Sequence, residues 1–107
     1  DIDREGACVL IELFPLPEPK GVRLHLSRYT RLSPSSLPTH AKLAQGMNSA
    51  LARMEAEENG CNEALLLDGK GHIAEASAAN IFWLREGVWH TPSLSTGALE
   101  GSVRAAV

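Results

Sequence analysis

Residues 62–92 read NEALLLDGKGHIAEASAANIFWLREGVWHTP, and the punctuation of this stretch decides the fold. Glu63–Leu67 is a short apolar run, followed by Asp68-Gly69-Lys70-Gly71, a turn rich in residues that tolerate unusual φ. Residues 72–75 return as a second strand, residues 76–79 are all small, and residues 80–84 form a third strand with aromatic content. Arg85-Glu86-Gly87 makes a second tight turn into Val88–His90, and Thr91-Pro92 closes the unit. Four short strands in quick succession predict a β-meander. One residue is out of place in it. Glu75 ends a strand among Ala74, Ala76, Ser77, Ala78 and Ala79, side chains small enough for a flat ligand to come close to the backbone. A carboxylate there is either a solvated strand end or a ligand contact.

The rest of the chain sets the frame. A length of 107 residues, 44% hydrophobic with a net charge of −3, describes one globular domain and gives no basic surface for nucleic acid or anionic membrane. A chain of this size buries only about two-thirds of its unfolded surface, so a partner chain would help its modest core. Cys8 and Cys61 are far apart without metal-ligand spacing and read as small core residues. The charged start, Asp1-Ile2-Asp3-Arg4-Glu5, and the lack of an 18-residue apolar run argue against a signal peptide or membrane span, which makes the cytoplasm the expected compartment.

Residues 7–14, ACVLIELF, have the density of a strand, and Pro15-Leu16-Pro17-Glu18-Pro19 reads as a stiff linker. Residues 22–27, VRLHLS, alternate apolar and polar as in a half-exposed strand. Residues 28–38 collect prolines and serines around Arg28 and Arg31, close to Arg23, a pattern that favours a solvated connector over a loop with a destination. Residues 43–59 predict one long helix. Leu43, Met47, Ala50, Leu51 and Met54 would form its apolar stripe, Thr39 its N-cap and Gly60 its C′ residue. Lys42 would then stand at the helix start, where the helix dipole disfavours a cation. It is either a solvated lysine or one whose neutral amine is made available to attack a carbonyl. Near the end, Gly97 and Gly101 bracket Ala98-Leu99-Glu100, and residues 102–106 have the composition of a fresh helix, whose free N–H groups suit a phosphate. The chain stops about one turn into that helix, which reads as a cut.

Lys42, NEALLLD (62–68), AEASAANIFW (74–83), REGVWHTP (85–92) and ALEGSVR (98–104), in this order and spacing, resemble the class IV aminotransferases, the fold-type IV pyridoxal-phosphate enzymes. That family includes branched-chain and D-amino-acid aminotransferases, (R)-selective amine transaminases and aminodeoxychorismate lyase. The resemblance covers roughly residue 21 to the end. It implies an α/β (α+β) fold: part of the large domain of such an enzyme, a β-meander with one long helix over residues 21–107. Residues 1–20 would be the last strand and linker of a smaller N-terminal domain.

The resemblance also implies roles. Pyridoxal 5′-phosphate would be the cofactor, and Lys42 would carry the Schiff base and shuttle the proton. Glu75 would hold the protonated pyridine nitrogen, and Leu99 would pack on the ring. Ser102 and Val103 would offer backbone N–H groups to the phosphate, with Asn80 in support. Transamination would join an amino donor to a keto acid or ketone, in a homodimer or larger homo-oligomer, with no metal. A cofactor-binding or inactive fragment and an aminodeoxychorismate lyase-like activity are the alternatives. Three positions depart from common family patterns: Val103 where threonine is frequent, Met47 where branched-chain enzymes place a tyrosine, and Ala79 where they carry glutamate.

Overall fold

The computed structural model describes residues 21–44 and 46–107. The strand anticipated over 7–14 and the linker after it lie outside the described residues. The elements in chain order are β1 (Leu24–Leu26), α1 (Met47–Glu58), β2 (Glu63–Leu67), β3 (Ile73–Ala76), β4 (Trp83–Arg85), β5 (Val88–His90), a 3-10 turn (Leu94–Thr96) and α2 (Ser102–Ala106).

β1 and β2 pair in parallel, Leu24 beside Glu63, His25 beside Ala64 and Leu26 beside Leu65. A parallel pair needs a crossover, and α1 supplies it. β2 and β3 form an antiparallel hairpin in which Leu65 faces Ala76, Leu66 faces Glu75 and Leu67 faces Ile73. That register skips Ala74, so the strand bulges one residue before Glu75. The four strands expected as one meander are thus divided between two sheets, β1-β2-β3 and the separate pair β4-β5. β4 begins at Trp83, later than the strand predicted over 80–84, because Asn80 and Ile81 are engaged elsewhere. The Asn80 side chain donates to the Leu99 carbonyl, and the Ile81 carbonyl accepts from the Thr91 hydroxyl. Glu86 (φ 52°) and Gly87 (φ 77°) turn the second hairpin with the two left-handed residues that a two-residue loop requires.

Among the described residues the core is small and built mainly from alanine. Ala52 and Ala56 of α1 meet Ala64 and Leu66 of β2, all four fully buried, with Tyr29 and Cys61 against them. The predicted stripe is therefore corrected: Met47 and Met54 are exposed, at 70% and 57%, and α1 turns its alanine face to the sheet. Small side chains let the helix backbone approach the strands closely, and the long methionines then have no room on that side. The helix start is corrected too. It begins at Met47 with Gly46 at the N-cap and no side-chain cap, so Thr39 is not the capping residue and Lys42 is not on the helix. The reason is local. Three tight turns precede the helix, Thr39 N–H donating to Leu37, Ala41 N–H to Pro38 and Gly46 N–H to Ala44, before helical bonding can begin. The helix end matches expectation, with Gly60 left-handed (φ 68°) just past Asn59. Among the described residues no helix is long and apolar enough to cross a membrane.

Candidate active site

The pairing of Leu66 with Glu75 puts the Glu75 side chain on the face of the sheet that α1 covers. Its residue is 7% exposed. A carboxylate in that setting is stable only with charge and hydrogen-bond partners. It has both. Arg31 Nε lies 2.7 Å from Oε1, and the Leu99 backbone N–H donates to Oε2 at 2.7 Å.

Arg31 arrives there by backbone bonding. Beyond β1 the chain continues beside β2, with Ser27 N–H donating to Leu65 and Arg31 N–H to Leu67. The departure of this segment is fixed by Glu55 of α1, which accepts from the Ser27 hydroxyl at 2.6 Å and from the Arg28 N–H at 3.1 Å. The Ser27 hydroxyl first, then the Arg28 N–H and guanidinium, hold the Glu55 carboxyl below its usual range. Arg31 Nε–H also donates to the Gly97 carbonyl at 2.8 Å. Gly97 is left-handed (φ 88°), and a Cβ there would sit 2.2 Å from the Leu32 carbonyl oxygen, so only glycine lets these two loops meet. The 3-10 turn before it, not anticipated from sequence, is closed by the Ser93 side chain accepting from the Ser95 N–H.

A cavity of about 230 Å³ opens beside this pair. Lys42, Glu75, Asn80 and Leu99 all line it, together with Arg31 and the small residues 76–79. Ser77 holds the small-residue wall at one end, its N–H and hydroxyl both donating to Glu63. Asn80 holds the other end. Its side-chain amide donates to the Leu99 carbonyl at 2.9 Å, and its Oδ1 would lie 2.4 Å from a Cβ on Gly101, the residue that caps α2. Four of the six residues singled out from sequence thus share one cavity. Ser102 and Val103 do not line it; they sit exposed on the first turn of α2, next to the loop that Asn80 braces. Sequence reasoning passed over Arg31. Nothing local distinguishes it from Arg28, which is exposed beside Tyr29 and Glu55, and only the β1-β2 register singles it out.

The family model for Amino-transferase class IV matches residues 3–107. The chain belongs to the class IV aminotransferases. Within this family it is 43% identical over 89 residues to a probable branched-chain-amino-acid aminotransferase of Aquifex aeolicus, a match covering 82% of this chain and 29% of that protein. It is 34% identical over 89 residues to the branched-chain-amino-acid aminotransferase of Escherichia coli K12, again 82% of this chain and 29% of the relative. Among solved structures, the branched-chain aminotransferase of Thermoproteus uzoniensis with norvaline superposes with a TM-score of 0.77 at 39% identity, over 81% of this chain and 30% of that one. The branched-chain amino acid aminotransferase of Thermobaculum terrenum, in its PLP-bound holo form, gives 0.77 at 36% identity, over 83% and 29%. The chain therefore spans under a third of the length of these class IV relatives, and its fold is that part of the fold-type IV architecture.

Proposed function

We propose that this chain forms the lysine and acid walls of a pyridoxal-phosphate site in an aminotransferase that moves an amino group from an amino donor to a keto acid or ketone. The observation that carries the reading is the single cavity lined by Lys42, Glu75, Leu99 and Asn80. The residues fit the cofactor. The cavity offers an amine, an acid, apolar side chains for a ring face, Leu99 among them, and a wall of small residues. Among the described residues each carboxylate oxygen of Glu75 has a single partner, so acceptor capacity remains for a ring N–H.

Bound pyridoxal phosphate would supply a carbonyl carbon that amines attack and a conjugated ring that takes up an electron pair. Lys42 would hold the cofactor through its side-chain amine, the nucleophile among the lining residues. The same amine, on an exposed side chain, would serve as the proton carrier of the site. Glu75 would accept the hydrogen bond of a protonated ring nitrogen and so hold that proton in place. Leu99 bears on the ring face. Backbone N–H groups of Ser102 and Val103, outside the cavity lining but at a helix start with no side-chain cap of its own, would take the phosphate. Val103 brings no hydroxyl, leaving that contact to the backbone.

The Thermobaculum terrenum relative in its PLP form supports the cofactor. A further branched-chain relative, crystallised with pyridoxamine 5′-phosphate and with N-(5′-phosphopyridoxyl)-L-glutamate, supports the direction of chemistry. The names of the relatives make branched-chain amino acids the first donors to try. Leu24 and Leu26, 47% and 58% exposed on the sheet face away from α1, support a homo-oligomer. The test is optical. Protein mixed with pyridoxal phosphate gains a visible band that bleaches with a donor such as leucine, and Lys42→Ala protein gains none; an equal band in that variant overturns the assignment.

A further inference from the structure

We propose that Arg31 is a positioning residue of this site, acting through Glu75 and coupling that carboxylate to the loop that carries Leu99. The inference rests on the cofactor reading above and deepens it. One nitrogen makes both contacts: Arg31 Nε–H donates to the Gly97 carbonyl at 2.8 Å, and the same Nε lies 2.7 Å from Glu75 Oε1. The Leu99 N–H closes the circuit on Oε2 at 2.7 Å. Three segments far apart in sequence, the exit of β1, the end of β3 and residues 97–99, are joined at one carboxylate. The Arg31 side chain is 13% exposed and that of Glu75 is 9% exposed, so water does not substitute for either partner.

This arrangement does two things for the acid. It anchors both oxygens in a fixed plane, so their remaining lone pairs are presented in one direction. It also supplies the positive charge that balances the carboxylate, so the Lys42 amine in the same cavity is not needed for that task. A guanidinium suits this position because it keeps its charge when buried and its Nε sits between the Gly97 carbonyl and the Glu75 carboxylate, a placement that an ammonium at the end of a flexible stem does not reproduce. Without it, Glu75 would retain only the Leu99 N–H among the contacts above, and both its aim and its hold on a ring proton would change.

The test is a double-mutant cycle on the full chain, read by pyridoxal phosphate titration and by the pH midpoint of the visible band. A thermal melt of the cofactor-free protein checks folding. Arg31→Gln is expected to weaken cofactor binding about tenfold and to move the midpoint. In the Glu75→Gln background the same change should alter affinity by less than about twofold, because its target is already gone. An equal loss in both backgrounds overturns the proposal and makes Arg31 a purely structural clamp. If Arg31→Gln fails to fold, Arg31→Lys, which keeps the charge but not the Nε–H, enters the same cycle with the same criteria. A parent protein that gains no band with the cofactor overturns the aminotransferase reading and this proposal together; a parent band with equal losses in both backgrounds overturns the proposal alone.

Discussion

The two walls of the cavity are built on opposite plans. The acid wall is part of a sheet: Glu75 sits in β3, opposite Leu66 of the core, with each oxygen of its carboxylate held by a named partner. The amine wall follows the tight turns of residues 37–41, and Lys42 is exposed there, with no ion-pair partner among the described residues. The contrast follows from the chemistry proposed for each. An acid that serves a ring nitrogen needs one direction and keeps it throughout. A lysine that bonds, leaves and then carries a proton needs reach, which the long unpaired side chain on a turn provides.

The contrast predicts that removing the amine affects chemistry without affecting the fold. Lys42→Ala should lower the transamination half-reaction on the order of 10³-fold or more. Its unfolding free energy should stay within about 0.5 kcal/mol of the parent, as for an exposed side chain without partners. A large drop in stability would show that the lysine wall is as structural as the acid wall. Glu75→Gln should do both kinds of damage. Turnover should fall roughly 100-fold, since a neutral amide does not hold the ring proton. Stability should fall by about 2 kcal/mol, since Arg31 is left largely buried without its counter-charge, and denaturant titration measures this directly. Unchanged stability would mean that the Arg31 contact carries no structural weight.

Gly97→Ala probes the seam of the acid wall without touching a charge. The added Cβ meets the Leu32 carbonyl at 2.2 Å in a left-handed conformation, so the loop must shift. That strain should lower stability by about 1–3 kcal/mol. Cofactor affinity should fall with it, because the Leu99 N–H and the Gly97 carbonyl move together. Loss of stability with full affinity would uncouple that loop from the site.

The same contrast explains what could be read from sequence. The apolar runs and turn residues of β2 and β5 mark themselves, because strand and turn are local choices, and so does the left-handed Gly60 after α1. Glu75 and Lys42 were visible as chemically odd residues in their neighbourhoods. Their meeting in one cavity came from the family resemblance, not from periodicity. The helix face was misread because Met47, Leu51 and Met54 recur at helical spacing, while Ala52 and Ala56 win the sheet by being small enough for close approach. Arg31 was invisible for a different reason. Its role depends on the parallel register of β1 and β2 and on a carbonyl 66 residues away, and no window of sequence contains either.

The smallest effect concerns the far end of the hairpin that carries Glu75. Asp68 accepts from the His72 backbone N–H at 2.9 Å and the Lys70 N–H at 2.8 Å, with His72 Nδ1 3.0 Å from its other oxygen. The His72 N–H above all, with the His72 ring and the Lys70 N–H, holds the Asp68 carboxyl down from 3.8 to about 2. A carboxyl whose pKa is lower in the folded state stabilises the fold above its unfolded value and loses that contribution as pH falls through the folded one. The stability difference between the parent and Asp68→Asn should therefore be full near pH 5 and shrink steadily toward pH 2, measured by denaturant midpoints at each pH. Asparagine keeps an acceptor for the two N–H groups, so the turn itself should survive. A difference as large at pH 2 as at pH 5 would show that Asp68 acts by shape and not by charge. The acid wall would then owe nothing to ionisation at its outer end, and its dependence on charge would be confined to the buried pair of Arg31 and Glu75.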